Sequence, residues 1–253
     1  MSQYRQSPFA NITPVVKTLL VLNILFFIPF ELFDTPDNPL NPGPFTTLFG
    51  MHYFASQYFK VWQIITYMFM HGGFAHIFFN MFALFMFGPI LEYSIGSKRF
   101  LQLYFICGIG AGLLQLLVQA IEVHSITGAF ALHMTGVNGP DNIDAIYYQF
   151  GGPDVTAKLY GAYNAPLVGA SGAIFGLLVA FGMLYPNMEL FLFFIPVPIK
   201  AKYIIPGYIL LEVFLGFGQF GGDNVAHFAH LGGALFGFLL IKLWGIHRGN
   251  NYF

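Results

Sequence analysis

Apolar runs, separated by short polar or proline-rich breaks, recur along the whole chain. A helix needs about 17 to 25 apolar residues to cross a bilayer. By that measure six stretches are candidate spans: Thr18–Phe33, Ala75–Tyr93, Phe100–Ile121, Ala170–Tyr185, Tyr203–Phe220 and Val225–Gly245. Two are at or below the short limit, and the fourth is bracketed by Pro166 and Pro186. The connection between the first two begins with the proline-rich DTPDNPLNPGP and turns aromatic, as FTTLFGMHYFASQYFKVWQIITYMF. Many aromatics and few charges predict an element lying in the membrane interface. The stretch 122–165 is too polar and glycine-rich to span and is expected to form an extended loop between the third and fourth helices.

Composition agrees with this pattern. Of 253 residues, 57% are hydrophobic and 8% charged, against about a quarter charged in soluble domains. The reading is an all-α polytopic membrane protein with six transmembrane helices and an interfacial loop between the first two. It comprises a short tail over 1–17, a six-helix domain over 18–246 and a second tail over 247–253. The first run lacks a small-residue cleavage site and is expected to be retained. A net charge of −1 gives no footprint for nucleic acid, and the single cysteine, Cys107, excludes a disulfide framework.

Basic residues predict the orientation. Arg5, Lys17, Lys98, Arg99, Lys200, Lys202, Lys242 and Arg248 fall in one set of connections, and Lys60 and Lys158 in the other. The positive-inside rule then puts both termini in the cytoplasm. Short tails and no visible transit peptide point to a bacterial-type plasma membrane.

Polar side chains inside the spans are expensive and need a reason. In the second span, HGGFAHIFFNMFALF, His76 and Asn80 share a helical face at i, i+4. The sixth begins NVAHFAHLGGALFGF, with His227 and His230 at i, i+3. The fourth opens LVGASGAIFGLLVAFGML, with Ser171 between glycines. Taken singly these have ordinary explanations. Gly172 with Gly176, and Gly233 with Gly237, form small-residue helix-packing motifs, and Asn80 is an interhelical hydrogen-bond donor. Together they make something else. If the two glycine faces pack, His230 arrives beside Ser171, and a serine needs such a base to become a nucleophile. The N–H groups at the start of the fourth helix, the Asn80 amide and the His76 ring could stabilise an oxyanion. Glu31, Glu92 and Glu212 are the acids nearest to or within spans, and none is expected to lie beside either histidine or to act as a third member. The expectation is therefore a dyad, with His230 held by stacking on Phe175, one turn below Ser171.

These segments resemble the rhomboid intramembrane serine proteases. The resemblance rests on HxxxN at His76 and Asn80, ExxxG at Glu92 and Gly96, GxSG at Gly169, Ser171 and Gly172, and HxxGxxxG at His230, Gly233 and Gly237. It covers roughly residues 60 to 245. It implies Ser171 as nucleophile, His230 as general base and then acid, and Asn80, His76 and the Ser171 amide as oxyanion donors. Gly169, Phe175, His71 and His227 would support the site, while Glu92 and Gly96 would be structural. It further implies a six-helix bundle with a cavity open to the outer side, transmembrane protein substrates, and neither metal nor cofactor. Where some members carry tyrosine, this chain has Phe175. His124 and His133 match no motif position and are expected to be solvated or interfacial.

Four other classes compete: an inactive rhomboid-like binder, a haem protein using His76 and His230, a zinc protease and a transporter. The first is disfavoured because Ser171 and His230 are both present. The second leaves Ser171 and Asn80 without a role. The third lacks HExxH, and the fourth lacks inverted repeats.

Overall fold

A computed structural model describes residues 12–34, 43–132, 150–192, 195–218 and 225–246. The chain is mostly helical. The elements are α1 (Pro14–Phe33), α2 (Pro44–Phe49), α3 (Gln63–Thr66, continued by a 3-10 turn over Tyr67–Phe69), α4 (Phe74–Ile95) and α5 (Ser97–Thr127). They continue with α6 (Pro153–Asn164), α7 (Ser171–Leu184), β1 (Glu189–Leu192), β2 (Ile195–Lys200), α8 (Ala201–Gly218) and α9 (His227–Leu243). By length and composition α1, α4, α5 and α8 can cross a membrane, whereas α7 and α9 are shorter apolar helices. Arg5, Arg248, His133 and most of the proline-rich loop lie outside the described residues, as do 1–11 of the first tail and all of the second.

Each of the six apolar runs holds one of these helices, but two features depart from the sequence reading. Helix α5 does not stop near Ile121; it continues to Thr127, and Gly128 closes it in the left-handed region at φ 75°. Polarity ended the apolar run without ending the helix. Ser125 and Thr127 turn their hydroxyls back onto the carbonyls of Glu122 and Val123, so the polar turn stays helical. The segment 122–165 is thus partly helical, since it also contains α6. The second departure is the antiparallel β1–β2 pair, with Glu189 opposite Lys200 and Leu190 opposite Ile199. Prolines at 196 and 198 hid this pairing, because proline within a run argues against a strand.

The outer surface carries many large apolar side chains, while several polar groups are buried within a mainly apolar core. Leu32, Phe74, Phe217 and Leu243 are all at least 70% exposed, while Gln63, Asn80, Glu92 and Glu212 are buried. Helix α7 lies at the centre, buried almost along its whole length, and it packs against α4, α5, α8 and α9. Its glycine face is the tightest contact. A Cβ on Gly233 would run into the carbonyl of Gly172, and one on Gly237 would lie 2.5 Å from the Gly176 carbonyl oxygen. On the α5 side, Gly172 meets Ala111 and Gly176 meets Cys107. Three helices therefore touch nearly backbone to backbone, as small residues permit in membranes.

Buried carboxylates and amides tie the connections to this centre. Glu92 accepts the Val15 and Val16 N–H groups at 3.1 and 3.0 Å and the Ser97 hydroxyl at 2.7 Å. It thereby fills the anion-favouring start of α1. Asp34 does the same for α2 through Phe45 and Thr46. Gln63 accepts from the backbone of His52 and Lys60 and donates to the Thr47 and Tyr58 carbonyls. The aromatic segment between α1 and α4 is thereby folded on itself.

Gly233→Ala should lower the unfolding temperature in detergent, since overpacking of this kind costs about 1–3 kcal/mol. Gly207→Ala is the control: a Cβ there meets nothing within 4 Å, so stability should hold or rise.

Candidate active site

The chain approaches Ser171 as an extended strand held from two sides. Met51 and Leu167 exchange both backbone hydrogen bonds, at 2.9 and 2.8 Å, and the Gly169 N–H donates to the Tyr67 carbonyl at 3.0 Å. The Tyr67 hydroxyl in turn donates to the Gly108 carbonyl of α5 at 2.6 Å. Gly169 has φ 125°, and a Cβ there would lie 2.7 Å from His76 Nε2 and 3.6 Å from Ser171 Oγ. Only glycine combines that backbone angle with that clearance. Ser171 is the first residue of α7, so the N–H groups beside it lack intrahelical acceptors.

Ser171 Oγ lies 2.8 Å from His230 Nε2. His230 sits in the first turn of α9, delivered there by the Gly172–Gly233 contact. Its ring stacks on Phe175 with centroids 4.3 Å apart and planes 9° from parallel. Phe175 packs in turn on Tyr208 of α8, at 4.9 Å between centroids. The base is fixed on its face as well as at its edges.

The other edge of the ring overturns an expectation. The sequence reading places no acid beside the histidines, Glu212 included, yet Glu212 of α8 reaches both His230 and His227. Its Oε2 lies 2.9 Å from His230 Nδ1 and 2.7 Å from His227 Nδ1. Glu212 is 18 residues from His230, too far for local spacing to reveal the pair. The available signal was its cost, since a carboxylate inside an apolar helix calls for a partner. The ligand atoms of Glu212, His227 and His230 all lie within 4.8 Å of one another. Both ring nitrogens of His230 are thus engaged, one by Ser171 and one by Glu212.

His76 borders the same space. Its Nδ1 accepts from the Gly72 N–H at 3.3 Å, and its Nε2 side faces Gly169. Asn80 is buried one turn further along α4, and its Nδ2 has no hydrogen-bond partner among the described residues. A buried amide nitrogen without a partner is uncommon in folded proteins. His71 is fully buried, with its ring edge-on to His76 at 5.1 Å. His124 stands apart near the end of α5, stacked on Phe130 at 4.5 Å.

Comparison with known proteins gives this arrangement a family. The rhomboid domain model matches residues 58–246. This chain belongs to the rhomboid family. A putative rhomboid protease of Bacillus subtilis, YdcA, is 31% identical over 179 residues, covering 71% of this chain and 65% of that protein. An uncharacterized mitochondrial rhomboid protein of Schizosaccharomyces pombe is 27% identical over 209 residues, covering 72% of this chain and 51% of that protein. The rhomboid protease GluP of Bacillus subtilis is 28% identical over 194 residues, covering 76% of this chain and 27% of that protein. The chain thus spans less than two thirds of the length of each of these relatives. With its long apolar helices, this rhomboid is an integral membrane protein.

In this rhomboid His71 lies just before α4, outside the spanning helices. Burial, and secondarily the neighbouring His76, lower its pKa from 6.5 to about 3. The ring resonances of His71 should stay unchanged in a titration from pH 8 to pH 5. The unfolded chain takes up a proton near 6.5 while the folded one refuses it until about 3. Stability from neutral His71 is therefore present above 6.5 and lost as pH falls towards 3.

Proposed function

We propose that this rhomboid is an intramembrane serine endopeptidase that cleaves membrane-anchored proteins. The observation that carries the reading is the 2.8 Å approach of Ser171 Oγ to His230 Nε2, at a site built from helices that are otherwise apolar. The names of the two Bacillus subtilis relatives point to the same chemistry.

Ser171 Oγ attacks the scissile carbonyl carbon as its proton passes to His230 Nε2. The carbonyl oxygen becomes an oxyanion, and the Asn80 amide, the His76 ring N–H and the Ser171 N–H supply donors to it. The unpartnered Asn80 Nδ2 is the group best prepared for that task. Collapse breaks the C–N bond, and the proton on His230 moves to the departing amine. Water then attacks the acyl-enzyme ester, giving its proton to His230, and Ser171 is regenerated.

The short central helix supports the location of this chemistry. Helix α7 has 14 residues, and at 1.5 Å per residue it rises about 21 Å. That falls short of a hydrocarbon core of about 30 Å. With α1, α4, α5, α8 and α9 around it as the other five membrane helices, Ser171 lies below the surface. Water reaches it through a cavity open to the outer side. The distribution of basic residues puts that side opposite both termini. A substrate helix must unwind locally before attack, because its carbonyls are already hydrogen-bonded. The relatives come from bacteria and from mitochondria, and the proposal requires only a bilayer.

In detergent or proteoliposomes, Ser171→Ala and His230→Ala should each abolish cleavage of a model transmembrane substrate while the unfolding temperature is kept. Asn80→Ala should retain measurable activity, reduced by about 10²–10³-fold as expected for one oxyanion donor. Full cleavage by Ser171→Ala would sink the mechanism.

A further inference from the structure

We infer that Glu212 is a positioning residue for His230, extending the proposed pair to Ser171–His230–Glu212, with His227 sharing the same carboxylate oxygen. The inference rests on the protease reading and goes beyond it, because that reading needs only a serine and a base.

The geometry of the hydrogen bonds carries it. An ionised carboxylate can only accept, so a ring nitrogen beside it must donate. Glu212 Oε2 lies 2.9 Å from His230 Nδ1, which places the proton of a neutral His230 on Nδ1. Nε2 then carries the lone pair, and that lone pair faces Ser171 Oγ at 2.8 Å. The opposite tautomer would point a proton at the serine and disable the base. Glu212 thus selects the reactive form of His230 and stands against the imidazolium that forms when the serine proton is transferred. His227, at 2.7 Å from the same oxygen, supplies a second donor and pins the carboxylate. Glu212 is 3% exposed, and such a buried charge requires paired donors of this kind. The three residues come from two helices, with Glu212 on α8 and the histidines at the start of α9.

Two other uses of the cluster make different predictions. Glu212 could serve only to fasten α8 to α9, or the three residues could hold a metal ion. Both histidines approach one oxygen at hydrogen-bond distance, which favours shared protons over an ion about 2 Å from each ligand.

Glu212→Gln separates the possibilities, because it keeps the size and hydrogen-bonding reach of the side chain while the charge is lost. Its NH2 can donate to Nδ1, which favours the opposite tautomer. The expected result with a transmembrane substrate is a fall in kcat of about 10²-fold or more with KM unchanged, by analogy with the loss of a triad carboxylate. The unfolding temperature should stay close to that of the unmodified protein. Glu212→Asp, which restores the charge with a shorter reach, should recover at least tenfold over Glu212→Gln. Nitrogen-15 NMR of labelled histidine should show His230 protonated on Nδ1 in the unmodified protein, and this signature should weaken in Glu212→Gln. Cleavage by Glu212→Gln at the unmodified rate would overturn the inference while leaving the protease reading intact. Activity lost to a chelator and restored by zinc would overturn it in favour of a metal site. If the unmodified protein cleaves nothing, the protease reading fails, and the NMR result still decides the tautomer: an Nε2-protonated His230 would overturn the positioning role.

Discussion

The contact on which the rest depends is the backbone approach of α7 and α9 at their glycines. Gly233 and Gly237 lie so close to the Gly172 and Gly176 carbonyls that a Cβ has no room. Lipid tails are as apolar as leucine side chains, so hydrophobicity alone does not bring two such helices together. Close packing of small residues does, through dispersion summed over many contacts. One consequence is geometric. With the helices locked in that register, His230 at the head of α9 meets Ser171 at the head of α7 and lies flat on Phe175. Helix packing and base placement have one cause.

The polar interior follows a second rule, that a buried charge or amide must find partners. Glu92 and Asp34 each meet it by accepting two N–H groups at a helix start. Gln63 meets it by bonding both ends of its amide to surrounding backbone. Glu212 meets it with two histidines. In the first three cases the result is a folded connection. In the last it is a hydrogen-bonded chain running from α8 through α9 to the serine of α7. Asn80 departs from the rule, its Nδ2 lacking a partner among the described residues, as do both ring nitrogens of His71.

Much of this was legible in the sequence because membrane physics writes long, unambiguous signals. Each apolar run marked a helix, four of them long enough to cross a membrane, and the glycine spacing at 172, 176, 233 and 237 predicted which faces meet. Ser171, His230 and Phe175 followed from that single contact. What escaped was non-local or lay outside the apolar runs. Glu212 is brought to His230 by the crossing of α8 and α9, a relation that spacing along one helix does not encode. The α5 extension was hidden because Glu122, His124, Ser125 and Thr127 are polar and yet helical. The β1–β2 pairing was hidden by the prolines of β2. The resemblance supplied residue types and order, whereas the bond to Glu212 came only from the packed structure.

The most direct test of the account is to treat the membrane-embedded protein with a serine-directed fluorophosphonate and map the adduct by peptide mass spectrometry. The account predicts a single covalent adduct on Ser171, absent from Ser171→Ala and strongly reduced in His230→Ala. Equal labelling of the unmodified protein and Ser171→Ala, or an adduct mapped to another residue, would contradict it.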